Sequence, residues 1–109
     1  MEARLFFLQR ATAALLAVLT LGHLVVIFTA MRGGLSAGEI LARTQGSFFW
    51  GLIYGLFVLA VAVHAPIGLR AVLREWTIWP QLACDALAAL FGLVLLLLGL
   101  RAVAAVVLP

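Results

Sequence analysis

The stretch "SFFWGLIYGLFVLAVAVHAPIGLRAV", Ser47 to Val72, decides the fold. No Asp, Glu, Lys or Arg interrupts it before Arg70. A helix needs about 20 apolar residues to cross a bilayer, and this run exceeds that. It opens on Phe48, Phe49 and Trp50, an aromatic belt of the kind that sits at headgroup level. The rest of the chain has the same character. Of its 109 residues, 67% are hydrophobic and 10% are charged, against roughly 45–50% and 25% in soluble domains. A soluble domain this small has too little interior to hide so much apolar surface. Lipid must be the solvent for most of the chain.

On the N-terminal side, "MEARLFFLQR" reads as a short amphipathic lead-in, with Phe6 and Phe7 at the interface and Arg4 and Arg10 at the headgroups. The apolar run that follows predicts a first span over 11–31. It is longer than the roughly 7–15-residue core of a signal peptide and reads as a retained span. The connection "RGGLSAGEILARTQG" holds Ser36 and Glu39 in an S-x-x-E capping box, which predicts a brief interfacial helix from Ala37. The second span is expected over 47–72. "LREWTIWPQ" then forms a second connection, with Trp76 and Trp79 as interface anchors. Pro80 suits the first turn of a third span over 80–107. The expectation is an all-α integral membrane protein, one transmembrane domain over 1–109 with three transmembrane helices. Three helices alone rarely enclose a ligand site, so partner chains completing a larger bundle are expected. "GLIYG" (Gly51 to Gly55) permits close helix contact, and Gly92 and Gly99 share one side of the third helix. Glycine is also simply common in membrane helices.

The net charge is +3, and all seven basic residues are Arg. No basic run or aromatic-basic interleaving marks a nucleic-acid surface. Excess Arg in cytoplasmic segments orients membrane proteins. An N-in topology puts Arg4, Arg10, Arg70 and Arg74 inside and Arg32 and Arg43 outside, with Arg101 near the outer end of the third span, which favours a cytoplasmic N-terminus and an outer C-terminus; a bacterial inner membrane is the expected location. The lone Cys84 has no intrachain partner and reads as a small packing residue.

Ionisable groups inside a membrane are costly and usually face protein, cavity or cofactor. His23, His64, Asp85 and Arg101 qualify. Neither histidine has the short spacing of a zinc site, and no Ser-His-Asp arrangement exists for hydrolysis. His64 suits an axial ligand of haem iron, since an imidazole between apolar helices is how many membrane cytochromes b hold haem. Ala60 and Gly68 lie one turn to either side on the same face and offer clearance for a flat macrocycle. Pro66 removes the donor that would bond back to Ala62 and can bend the helix there. Arg70 and Arg74 are placed to meet haem propionates or anionic lipid. The plainer reading of His64 is a histidine hydrogen-bonded to a neighbouring helix without a cofactor. Asp85 is expected to pair with Arg70 or Arg74, with proton relay as the sharper alternative, and Arg101 to snorkel.

Counting inward from the cytoplasmic side puts His23 about 20 Å deep and His64 about 12 Å deep at 1.5 Å per residue. An offset of about 8 Å counts against one shared iron. If both histidines are ligands, two haems at different depths follow, each completed by a histidine from another chain. His23 packing against a neighbour through a hydrogen bond is the alternative.

"QRATAALLAVL" and "HAPIGLRAVLREW", in this order and spacing, carry a resemblance over essentially the whole chain. The sequence resembles the small cytochrome b membrane-anchor subunit of succinate:quinone oxidoreductases, that is, succinate dehydrogenase and its fumarate reductase relatives. The resemblance implies that His64 is the haem-b ligand and that Arg10 is the arginine opening the family's first helix. It implies a flavoprotein subunit, an iron–sulfur subunit, and a second membrane anchor or a copy of this chain as partners. In the family an acidic-Tyr pair follows the histidine block, and its Tyr helps bind ubiquinone near the iron–sulfur subunit. Here that pair is Glu75-Trp76, an indole N–H without a hydroxyl, which implies a menaquinone-type or reorganised site. A first-helix histidine such as His23 matches the two-haem members. The implied function is electron transfer between the iron–sulfur subunit and a quinone, with part of the quinone site near Arg74 to Trp79. A haem-free anchor that docks a soluble dehydrogenase and builds only a quinone pocket is the second expectation. A small transport-related subunit whose His and Asp residues move protons is the third.

Overall fold

A computed structural model describes residues 2–109. It has four helices and, among the described residues, no strand: α1 (Ala3–Gly33), α2 (Ala37–Thr44), α3 (Phe48–Trp76) and α4 (Gln81–Val107). α1, α3 and α4 are each long and apolar enough to cross a membrane. Their bounds differ from the predicted spans in an instructive way. α1 begins at Ala3, so the amphipathic lead-in is continuous with the span. α3 runs on to Trp76, which leaves Thr77 to Pro80 as the whole second connection. Pro80 is the N-cap of α4 rather than its first helical residue. Hydropathy marks where lipid begins, whereas backbone hydrogen bonding continues into the headgroup layer.

α3 lies between the other two long helices and packs on both. The buried residues are mostly small: Ala30, Ala60, Cys84, Ala88 and Gly92, with Ile67 and Thr44. Leu21, Phe28, Leu56, Leu90 and Leu97 point outward. This inverts a soluble core. Lipid tails are as apolar as leucine, so helices associate where small residues let backbones approach. On α4, Cys84, Ala88 and Gly92 recur every four residues and form that stripe. A Cβ on Gly92 would come within 2.9 Å of Pro66 Cγ and 3.3 Å of the Ala62 carbonyl oxygen. A Cβ on Gly99 would come within 2.6 Å of Val58 Cγ1. Both glycines therefore face α3. Of the G-x-x-x-G pair, Gly51 meets Val107 of α4, while a Cβ on Gly55 would meet nothing within 4 Å.

The short helix α2 forms where the capping box predicts it. The Glu39 amide donates to Ser36 Oγ at 3.2 Å, and the Glu39 carboxylate accepts from the Ser36 amide at 3.0 Å and hydroxyl at 2.7 Å. Gly34, at φ 122°, enters this turn in a conformation disfavoured for other residues, and a Cβ there would overlap the Glu39 carboxylate. At its other end α2 is tied to α4. Thr44 Oγ1 donates to the Val106 carbonyl at 2.6 Å, and the Gly46 amide donates to Val107 at 2.7 Å. Carbonyls left over at the end of a helix are thereby satisfied.

The Ser36 hydroxyl and amide, followed by Arg43, hold the Glu39 carboxyl below its ordinary range. A carboxylate with a depressed folded-state pKa contributes stability above its unfolded pKa, and loses it as pH falls through the folded one. Amide exchange at Ser36 and Glu39, corrected for intrinsic rates, is therefore expected to accelerate as pH drops below the ordinary glutamate range. In Glu39→Gln that pH dependence is expected to vanish. Persistence of the acid acceleration in the variant would contradict the assignment.

Candidate functional site

Two polar clusters interrupt the apolar bundle, both towards the end that carries the N-terminus and the α3–α4 connection. The first lies on the seam between α1 and α3. His64 is half-buried, and its Nδ1 lies 3.2 Å from Thr12 Oγ1. One turn further along α3, a Cβ on Gly68 would come within 3.2 Å of Gln9 Nε2. Gln9 and Thr12, three residues apart, share a face of α1 just as His64 and Gly68 share a face of α3. The clearance expected at Gly68 is thus taken up, on this side, by the Gln9 amide. Gln9 Oε1 is buried and has no hydrogen-bond partner among the described residues, an orphaned acceptor of a kind that buried polar groups seldom leave.

The second cluster joins α3 to α4. Arg70 Nε donates to Asp85 Oδ1 at 2.6 Å, and Arg74 Nη2 donates to the same oxygen at 3.2 Å. Asp85 thus pairs with both candidate arginines at once. Paired charges at this depth avoid the penalty of an isolated ion in lipid. Arg74 Nε is buried without a partner among the described residues. Cys84, the fully buried neighbour of Asp85, packs in the helix interface.

The other candidates lie apart from these clusters. Arg10 is exposed, its guanidinium 5.5 Å from the Phe6 ring centroid in a cation–π contact one turn back. Glu75 and Trp76 are exposed at the last turn of α3, Trp76 at 81%, and Glu75 makes no salt bridge among the described residues. Arg101 is exposed near the end of α4.

His23 belongs to a different level. Its ring meets Tyr54 edge-on at 5.9 Å and Phe57 at 5.7 Å between centroids. It lines a cleft of about 360 Å³ with Thr44, Tyr54, Phe57 and Gly99. Neither ring nitrogen has a hydrogen-bond partner among the described residues. His64 is level with Thr12, so His23, 11 residues on, lies about 16 Å deeper along α1 at 1.5 Å per residue. That is about twice the offset counted from the predicted span ends. The two imidazoles cannot share one iron.

The profile of the family described as "Succinate dehydrogenase/Fumarate reductase transmembrane subunit" matches residues 1–100. The chain belongs to this family. No curated protein and no solved structure matches the chain. As a transmembrane subunit of the succinate dehydrogenase/fumarate reductase family, the chain is a multi-pass membrane anchor, consistent with its three apolar helices. Membership implies association with flavoprotein and iron–sulfur subunits.

On the α1–α3 seam, His64 is the one side chain that could hold a haem. Among the described residues no three His, Cys, Asp or Glu side chains converge on a common point, but an axial ligand calls for a single imidazole from this chain. Thr12 and Gln9 are the members of this seam that the sequence left without a role. Their signal was partial: two polar side chains three apart share one face of α1, but the helix that this face meets is not written in the local sequence.

Proposed function

We propose that this subunit holds a haem b through His64 and carries electrons between the iron–sulfur subunit and a membrane quinone, with its N-terminus in the cytoplasm of a bacterium. The observation that carries the reading is His64 itself. It is a half-buried imidazole, engaged at Nδ1 by Thr12, inside a span where an ionisable ring is costly without a purpose. Haem b would supply a one-electron Fe(III)/Fe(II) couple. His64 would hold the haem from this chain, with a further ligand supplied by a partner anchor or a copy of this chain. The exposed outer faces of α1 and α4 leave room for such a partner.

The Arg70–Asp85–Arg74 cluster retains one net positive charge at the cytoplasmic end, suited to a haem propionate or a lipid phosphate. The quinone lies near Arg74 to Trp79, where the Arg74 guanidinium and Trp76 indole offer N–H donors to a carbonyl oxygen. Glu75 and Arg10 flank that end of the bundle and steer its charge. Asp85, held by two arginines, acts here as an electrostatic clamp.

His23 supports a second haem, set deeper in the membrane. Its two unpaired ring nitrogens, its orientation between Tyr54 and Phe57, and the adjoining apolar cleft favour that reading. The reduced-minus-oxidised visible spectrum of the purified complex tests both parts. A b-type signal is expected, with His23→Ala losing about half of the haem. Absence of any b-type signal would refute the haem reading and leave a haem-free quinone-binding anchor. Haem content unchanged in His23→Ala would remove the second centre.

A further inference from the structure

We infer that Thr12 is a positioning residue that fixes the tautomer of His64, keeping Nε2 unprotonated and open to iron. The inference rests on the reading of His64 as a haem ligand. The argument starts from the threonine hydroxyl, which has one hydrogen to donate. Thr12 Oγ1 lies 2.6 Å from the Leu8 carbonyl oxygen, one turn back on α1, and 3.2 Å from the Gln9 carbonyl oxygen. A carbonyl can only accept. The short bond to Leu8 therefore claims the hydroxyl hydrogen, in the back-bonded geometry that threonine adopts inside helices.

The Thr12 oxygen still has lone pairs, and His64 Nδ1 is 3.2 Å from it. With its hydrogen committed to α1, the hydroxyl can meet the imidazole only as an acceptor. Nδ1 must then carry the ring proton, and in a neutral imidazole the other nitrogen is left with its lone pair free. A ligating histidine is commonly oriented in this manner, its far N–H held by an outer acceptor that makes the ring more basic. Here that acceptor comes from another helix of the same chain. The ligand is thus prepared before any partner docks.

A more basic imidazole favours ferric over ferrous iron, so removing the acceptor should raise the midpoint potential of the centre. Thr12→Val replaces the hydroxyl with a methyl group at nearly constant shape, and Thr12→Ser keeps the hydroxyl. In the intact complex, redox titration of Thr12→Val is expected to show a loss of ferric preference of about tenfold, an upward shift of about 59 mV for one electron. Thr12→Ser is expected to titrate as the wild type. If valine hinders assembly, Thr12→Ala removes the same hydroxyl without added bulk and should give the same shift.

A purely structural threonine would lower haem content while leaving the potential of the retained haem unchanged. That outcome, or a shift in Thr12→Ser equal to that in Thr12→Val, would overturn the inference. The underlying reading fails differently. It falls if the wild-type complex has no b-type band or if His64→Ala keeps the full haem complement.

Discussion

His64→Ala is expected to abolish one b-type centre in the assembled complex while the three-helix subunit still inserts. Alanine is the best helix former, and a methyl group at this position creates no clash on α3. Nothing nearby can replace the imidazole. The seam offers the Thr12 hydroxyl and the Gln9 amide, neither of them a strong donor to haem iron. Thr12 keeps its bond to Leu8, so the fold loses about one interhelical hydrogen bond, worth about 1 kcal/mol. The loss of the centre should therefore be complete while the loss of stability is small. Haem extraction and the visible spectrum of the purified variant measure the first, and the yield of assembled complex the second. A variant with the full wild-type haem complement would refute the assignment. The same measurement on His23→Ala should leave the His64 band intact, because about 16 Å of depth separates the two rings.

Gly92→Val is expected to be strongly damaging although it removes no polar side chain. The valine Cβ would sit 2.9 Å from Pro66 Cγ, 3.2 Å from Pro66 Cβ and 3.3 Å from the Ala62 carbonyl oxygen. None of these neighbours can turn aside as a long side chain would. The proline ring is fixed to the backbone, and the Ala62 carbonyl lies where Pro66 offers no N–H to complete the helix bond. α3 and α4 must separate locally, at a cost of about 1–3 kcal/mol. Gly55→Val is the matched control. It carries the same change in helix propensity, but a Cβ at Gly55 meets nothing within 4 Å. Thermal unfolding of the isolated subunit in micelles should therefore show a lowered midpoint for Gly92→Val and little change for Gly55→Val. Equal losses at both sites would contradict the packing described.

Much of this molecule could be read along the chain. The three spans follow from run length, because runs this long and this apolar have few other stable fates. The interfacial helix α2 was legible because Ser36 and Glu39 satisfy each other within one turn, a local matter of spacing. The partnership of Asp85 with Arg70 and Arg74 was foreseeable in outline, since a charge at that depth needs a counterion and those two are the arginines nearest to it in the chain at the same end. The family resemblance rested on short motifs and agrees with the profile match over 1–100.

Other features were set by contacts between segments far apart in sequence, and no local pattern encodes those distances. Hydropathy could not foresee that α1 starts at Ala3 or that α3 continues to Trp76, since helical hydrogen bonding does not stop where lipid does. Depths counted from span ends also halved the separation of the histidines, because the axial register of α1 against α3 is set by contacts such as Thr12 with His64. Which helix each glycine faces depends on rotation about its axis: Gly92 and Gly99 meet α3, whereas Gly55 meets nothing. The pairing of Thr12 with His64 joins residues 52 apart in sequence. Composition and run length made this chain a three-span membrane protein with histidines inside its spans. Packing of α1 on α3 chose the neighbour of His64, and with it the nitrogen left free, because a side chain's partner across a helix interface depends on register and rotation that only the assembled bundle defines.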